Sequence, residues 1–309
     1  TPETDAAIDA GLAFLSTRQN EEGSFGVSGY SRNVAICALA GMAFMSSGST
    51  PGRGPYGEAV DRIVGYLLAN SQESGFLVAP GTSSHGPMYG HGFATLFLAE
   101  VYGMSLASDV RETLAKAARL IVNTQNSDGG WRYQPERHDA DLSVTICQVM
   151  ALRASKNAGL DIPQETIDRS LEYIRRSQNP DGGFMYMLEA GGPSAFPRSA
   201  AGIVGLYSAG VYEGEELAKG LEYLLQHVPR HDAVGRDNHF FYGHYYAVQA
   251  MWHCGGDNWI KWYPAIRDTL LARQRQDGSW MDSIGPEYGP AMAAIILQMH
   301  NSYLPIFQR

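Results

Sequence analysis

Five stretches of the chain, 33–47, 88–99, 199–212, 240–254 and 288–299, contain no Lys, Arg, Asp or Glu and are apolar or small nearly throughout. A helix of that composition offers no charged face to water, so each is expected to be buried on every side. Other segments follow a second pattern. Val110, Leu114, Ala117, Leu120 and Ile121 fall on one helical face, with Arg111, Glu112, Lys116 and Arg119 on the others. Ile167, Leu171 and Ile174 alternate in the same way with Glu165, Asp168, Arg169, Glu172, Arg175 and Arg176. One apolar stripe and one charged face predict helices half in solvent. Six such helices alternating with six buried ones predict two concentric rings, the buried six inside and parallel to one another.

A short cassette precedes the buried helices. It reads QNEEGSF at 19–25, QNSDGGW at 125–131, QNPDGGF at 178–184 and QRQDGSW at 274–280, with a worn copy, QESGF, at 72–76. Gln19, Gln72, Gln125 and Gln178 are 53 residues apart in turn, and the 96 residues to Gln274 make two steps of 48 with Gln226 midway. This period implies one continuous array of six repeats, at about 1–55, 56–108, 109–162, 163–213, 214–262 and 263–309. The cassette glycine is expected to take the left-handed backbone that ends a helix and turns the chain. The aromatic two residues on would then pack between adjacent hairpins, leaving the Gln side chain to bond backbone of the neighbouring repeat. A feature repeated around the array is scaffold.

The cassettes resemble the QW repeats of squalene and oxidosqualene cyclases, and the six-hairpin count resembles the β subunits of protein prenyltransferases. The resemblance runs over the whole chain and is nearest to the short, single-toroid bacterial prenyltransferase and squalene oxidase repeat proteins, a group that brings no particular reaction with it. It implies an all-α fold, an (α/α)6 toroid of about twelve helices around a central cavity. The same toroid resembles thioester domains of complement-like proteins and one family of pectate lyases, so the fold leaves function open.

Parallel inner helices would gather their N-termini, with free N–H groups and positive dipole ends, at one mouth of the ring. The residues there are Tyr30, Arg32 and Asn33; Tyr89 and His91; His138, Asp139 and Asp141; Arg198 and Ser199; His239, Tyr242, His244 and Tyr245; and Glu287 with Tyr288. Among them HDADLSVT at 138–145 resembles the Asp-x-Asp-Asp-Thr stretch of class II terpene cyclases. That resemblance makes Asp139 the first Asp, Asp141 the proton donor and Ser143 the counterpart of the Thr. Leu142 stands where the last Asp would be, which removes part of the tuning that holds a carboxylic acid neutral and strongly acidic. Read from the residues alone, both aspartates also suit the capping of a helix N-terminus.

His91 in YGHGF and His244 in YGHYY occupy equivalent places in repeats two and five. The interval from His239 to His244 is not a metal-ligand spacing, and the Asp-x-Cys pair of a prenyltransferase-like zinc site is absent, so no metal or other cofactor is expected. Repeat five is dense in aromatic residues, suited to cationic intermediates or to packing. Two longer stretches, 77–88 and 229–241, run into inner-helix starts and are expected to overhang the mouth as lids.

Composition narrows the partners. A net charge of −9 with Lys and Arg scattered gives no footprint for nucleic acid, and no apolar run is long enough for a membrane span. Cys37, Cys147 and Cys254 are odd in number and far apart, and are expected as free thiols. There is no phosphate loop, no nucleophile elbow, no His-Glu-x-x-His and no Cys-Gly-Glu-Gln of a thioester. The chain starts at Thr1 without Met, consistent with removal of an upstream segment on export or by trimming; compartment and oligomeric state stay open.

The resulting expectation is a toroid that binds an extended apolar molecule, isoprenoid or lipid-like, or a peptide, in its centre. Arg32, Tyr89, His91, His138, Arg198, His239, Tyr242, His244, Tyr245 and Tyr288 are the candidate contacts. One alternative is a class II terpene cyclase-like enzyme with Asp141 as general acid and Asp139 in support. Another is a polysaccharide lyase or glycan-binding toroid that sets Arg32 or Arg198 against acidic sugars.

Overall fold

A computed structural model describes residues 1–26, 30–82, 86–105, 107–229 and 239–308. Twelve α-helices occur among them, in two sets that follow the two sequence patterns. The half-exposed set is α1 (Pro2–Thr17), α3 (Gly57–Ala69), α5 (Ser108–Thr124), α7 (Gln164–Arg176), α9 (Glu215–Leu225) and α11 (Gly256–Arg273). The buried set is α2 (Val34–Ser46), α4 (Pro87–Ser105), α6 (Leu142–Asn157), α8 (Phe196–Ser208), α10 (Phe240–Cys254) and α12 (Tyr288–Leu297). Each buried helix packs on the next, α2 on α4, α4 on α6, α6 on α8, α8 on α10, α10 on α12 and α12 back on α2, so the inner ring closes. The outer helices lie against it, and the whole is an (α/α)6 toroid. In α2 every residue except Ala35 is buried, as a helix without charge requires.

The cassettes make the joint between rings. In the third, Gln125 donates from Nε2 to the carbonyls of Gly129, at 3.0 Å, and Thr166, at 2.9 Å, tying its own turn to the next outer helix. Gln178 does the same toward Glu216, and Gln274 toward Ala7, so the sixth copy binds the first helix. Gly129 has φ 94, and a Cβ there would lie 2.1 Å from the Arg169 carbonyl oxygen. Only a glycine lets the turn sit flat on the neighbouring helix backbone. Trp131, 1% exposed, donates its indole N–H to the Ile121 carbonyl at 2.8 Å, and Trp280 repeats this with Leu270.

The last repeat boundary differs most from the expectation. The last outer helix starts at Gly256, so the division at 262/263 falls inside α11. The turn is made by Gly255 and Gly256, with φ 69 and 52, in place of a longer linker.

The ring axis is filled on the C-terminal side of the inner helices. Phe93 of α4 and Tyr245 of α10, from opposite sides of the ring, meet with centroids 6.0 Å apart. Beyond them a 3-10 turn, Pro305–Phe307, contacts α6 and buries Leu304, Ile306 and Phe307. Phe307 stacks edge-on against Tyr245, and its carbonyl accepts from Trp252 Nε1 at 2.9 Å. Ile306 N donates to Glu100 Oε2 at 3.3 Å. Burial pushes the Glu100 carboxyl up to about 8, only partly offset by that hydrogen bond. This side of the ring is stopped.

Candidate functional site

The third cassette delivers the chain to the mouth at the inner-helix N-termini. After Trp131 it makes an excursion through Arg132 and Tyr133 and returns to pair antiparallel with itself, Asp141 N donating to Trp131 O at 3.0 Å. Thr145, one turn into α6, accepts the Trp131 N–H on its hydroxyl at 3.0 Å. Asp141 therefore sits at a fixed point, the N-cap of α6, in extended conformation with φ −126 and ψ 156. Its Oδ1 accepts from Val144 N at 2.9 Å, the capping bond expected of an acidic residue there.

The other oxygen is what distinguishes this cap. Asp141 is fully buried, and Oδ2 has no hydrogen-bond partner among the described residues. Arg132 Nε, itself without a partner, stands 3.7 Å away. Burial raises the carboxyl to about 6, against the opposing pull of the Val144 N–H, the Arg132 charge and the Tyr186 phenol. Asp139 is treated differently by the same loop. It is a third exposed and bonds Arg132 Nη1, and that bond and charge outweigh its partial burial and lower its carboxyl. Two carboxylates two residues apart are thus driven in opposite directions, one held ionised by Arg132 and the other biased toward its neutral form.

Around Asp141 the inner helices supply phenols. Tyr89 of α4 and Tyr242 of α10 both approach Ser143 and Asp141. Tyr288, at the start of α12, packs edge-on against Phe241 and faces Tyr242 and Tyr245. The hydroxyls of Tyr242, Tyr245 and Tyr246 have no hydrogen-bond partner among the described residues, and burial pushes all three phenols up. Tyr186, from the fourth cassette, is held beside Asp141 by its carbonyl, which accepts from Leu142 N at 2.9 Å. Outside Arg132 and Asp139 lies a pocket of about 380 Å³, also lined by Tyr133, Gln134, Glu136 and His138. A second pocket, about 420 Å³, opens beside Phe240, Phe241, Arg273 and Trp280.

The structure thus gathers Asp139, Asp141, Tyr89, Tyr242 and Tyr288 at one mouth, with Tyr245 beneath them. The histidines go elsewhere. His91 is buried and faces outward: Nδ1 accepts from Leu77 N at 3.1 Å and Nε2 lies 3.2 Å from the Ala117 carbonyl of α5. That fixes the Nε2–H tautomer and makes it a strut between rings, with its pKa lowered to about 4 by burial. His244, in the equivalent place, packs among Phe196, Phe240 and Trp262, again toward the outer ring, and burial lowers it to about 3. His138 is exposed at the rim, 3.6 Å from Asp139. His239 is exposed at the cap of α10, with φ 64. Arg198 spends its guanidinium on the Phe184 and Pro193 carbonyls, and the exposed Arg32 faces Glu22 at 3.4 Å. No group of three or more His, Cys, Asp or Glu is poised to hold a metal among the described residues. The second expected lid lies mostly in 230–238, outside the described residues, as do 83–85 of the first.

Arg132 belongs to no motif in the sequence. Its signal is positional: the residue after the cassette aromatic is Gly26, Leu77, Met185 or Met281 in the other copies, and is charged only here.

The model of the prenyltransferase alpha-alpha toroid domain matches residues 5–115 and 105–238. The chain belongs to that family. Among curated proteins it is similar to drimenyl diphosphate synthase of Streptomyces showdoensis, 27% identical over 189 residues; the match takes in 60% of this chain and 33% of that protein. Only about a third of that relative's length is therefore represented. Among solved structures it is similar to a substituted form of the type II terpene cyclase MstE from Scytonema, in complex with its substrate geranylgeranyl dihydroxybenzoate. There the TM-score is 0.66 at 15% identity, over 99% of this chain and 98% of that one. An alpha-1,6-mannanase of Salegentibacter, bound to alpha-1,6-mannotriose, shares the toroid at TM-score 0.64 and 8% identity, over 97% of this chain and 99% of that one. No described helix is long and apolar enough to cross a membrane.

Proposed function

We propose that the toroid receives an isoprenoid-type apolar chain at the inner-helix mouth and that Asp141 protonates it to start cyclisation, as in class II terpene cyclases. The observation that carries this reading is the geometry of Asp141: buried, with one oxygen spent on the cap and the other unbonded, a setting in which burial pushes the carboxyl up to about 6. A cap alone needs only Oδ1. In the proposed step the Asp141 O–H bond breaks as a C–H bond forms at an alkene carbon, leaving a carbocation and a carboxylate. Arg132 at 3.7 Å stabilises the carboxylate, and we assign stabilisation of the cation to Tyr89 and Tyr242, the inner-helix aromatic residues that approach Asp141.

Two relatives support the substrate class, since the curated one makes a terpenoid diphosphate and MstE carries a geranylgeranyl substrate. MstE also matches this chain over nearly its whole extent, so one toroid is a sufficient scaffold for that chemistry there. Of the two arginines of the glycan reading, Arg198 is bonded to the Phe184 and Pro193 carbonyls, and Arg32 is exposed beside Glu22.

The test is incubation with linear isoprenoids, free and as diphosphates, with product analysis and native mass spectrometry in parallel. A cyclised product made by the parent and lost in Asp141→Asn is expected. Bound isoprenoid without product in either protein reduces the function to binding; neither binding nor product overturns the proposal.

A further inference from the structure

A general acid that gives up its proton must recover it before the next turnover, and Asp141 is sealed from solvent. The position two residues after the cassette aromatic shows where the proton could come from. That position is Val27, Val78 and Asp282 in copies one, two and six, so the scaffold does not require an aromatic there. In copies three and four it is Tyr133 and Tyr186, and these two copies flank Asp141.

The backbone places both tyrosines by the same rule. Tyr133 O accepts from Met88 N at 3.1 Å and Tyr186 O from Leu142 N at 2.9 Å, each tying a cassette to the preceding inner helix. Their side chains then meet, hydroxyl to hydroxyl at 2.7 Å, across 53 residues of sequence. Tyr133 lines the open pocket at the rim, while the bond from Leu142 N to the Tyr186 carbonyl sets Tyr186 against the residue next to Asp141, whose Oδ2 is unbonded.

We infer that Tyr133 and Tyr186 form a proton relay that returns a proton from solvent in the mouth pocket to Asp141 Oδ2 after each turnover. The relay rests on the proposed acid role of Asp141. When Asp141 is a carboxylate, the Tyr186 O–H proton passes to Oδ2, the Tyr133 O–H proton passes to Tyr186, and a water-borne proton replaces that of Tyr133. Net, one solvent proton is consumed and both phenols are restored. No oxidant, metal or other reactant is needed.

Tyr133→Phe and Tyr186→Phe remove only the hydroxyls and keep both rings, so folding is checked by melting and the relay by proton uptake. The carboxylic C=O stretch of Asp141, assigned by its loss in Asp141→Asn, is followed in infrared after a photoacid pH jump. Uptake roughly tenfold slower or more in each variant is expected for loss of a positioned proton carrier. Uptake as fast as in the parent overturns the relay, whether or not the protein cyclises anything. Turnover supplies the second readout: Tyr133→Phe, which leaves the Tyr186 phenol beside Asp141 in place, should complete a first cycle from the protonated state at the parent's rate and lag in later ones. Slowed uptake with no turnover in the parent would sustain the relay and overturn the cyclase reading instead. A first cycle slowed as much as later ones would assign the phenols to packing and overturn the relay.

Discussion

Asp141 gives each of its oxygens a different task, and substitutions can separate them. Asn keeps an acceptor for Val144 N but cannot donate an acidic proton, so Asp141→Asn should fold with stability within about 1 kcal/mol of the parent. Asp141→Ala loses the cap as well and should lose ~1–2 kcal/mol, read by chemical denaturation. If Asn destabilises as much as Ala, the carboxyl is structural. The acid role also has a pH signature. Burial raises Asp141 to about 6, so the proton-bearing form dominates below that value and is lost above it. Product formation should therefore fall as pH rises through about 6, close to tenfold for each further pH step. Activity that rises over the same interval would assign the rate to a base.

Among the elements, the cassette turns and the Pro305–Phe307 turn answer to different physics. Gly129→Ala must place a side chain at φ 94 with its Cβ 2.1 Å from the Arg169 carbonyl oxygen. Strain of that kind costs about 1–3 kcal/mol before the neighbouring helix moves, so a loss of ~2–4 kcal/mol is expected in denaturant unfolding. A neutral result would mean that the joint is slack. The far-side turn should respond to pH through Glu100. Its carboxyl, 4.5 when unperturbed, rises to about 8 on burial, so the folded state holds a proton over that interval that the unfolded chain has released. Stability from this group is full below 4.5 and declines as pH rises through 8, by about 1.4 kcal/mol per pH step between them. Glu100→Gln still accepts from Ile306 N and does not ionise. Its melting temperature should match the parent at pH 4 and exceed it at pH 9; a gap of the same size at both pH values would refute the burial argument.

These elements also show what could be read in the chain before the fold was known. The inner and outer helices and the cassette joint were legible because each is a local pattern, a face or a turn within a few residues. The position of Asp141 was legible for the same reason, since the N-cap lies just ahead of an apolar run. The roles of His91 and His244 were not, because whether a helix residue looks inward or outward depends on the ring's register, and both look outward. Glu100 was invisible as a contact for Ile306, its partner across 206 residues. Arg132, Tyr133 and Tyr186 left a trace only when the copies are aligned and the exceptions, not the agreements, are taken as signal.

At the scale of the whole molecule the toroid is distinguished from an open repeat array by its seam. In an open array the end repeat has one neighbour and can unfold alone. Here α1 packs on α11 and α12, Gln274 donates to the Ala7 carbonyl at 2.9 Å, and Gly278 lies against Ala10 as the other cassette glycines lie against their neighbours. The seam also carries an ion pair, Arg18 Nη2 to Glu287 Oε1 at 3.0 Å, in which Glu287 is 1% exposed and Arg18 a third exposed. Removing the arginine leaves a carboxylate buried without a counterion, which costs more than the pair contributes. Arg18→Met should therefore lose about 3 kcal/mol, and Arg18→Met with Glu287→Gln should recover most of it. Because a closed ring has no end repeat, the loss should appear in one transition, with helix circular dichroism and tryptophan fluorescence coincident. A separate early melting of α1, leaving the fluorescence of Trp131 in the third cassette unchanged, would show the seam to be a contact of convenience and the array to be open in its energetics.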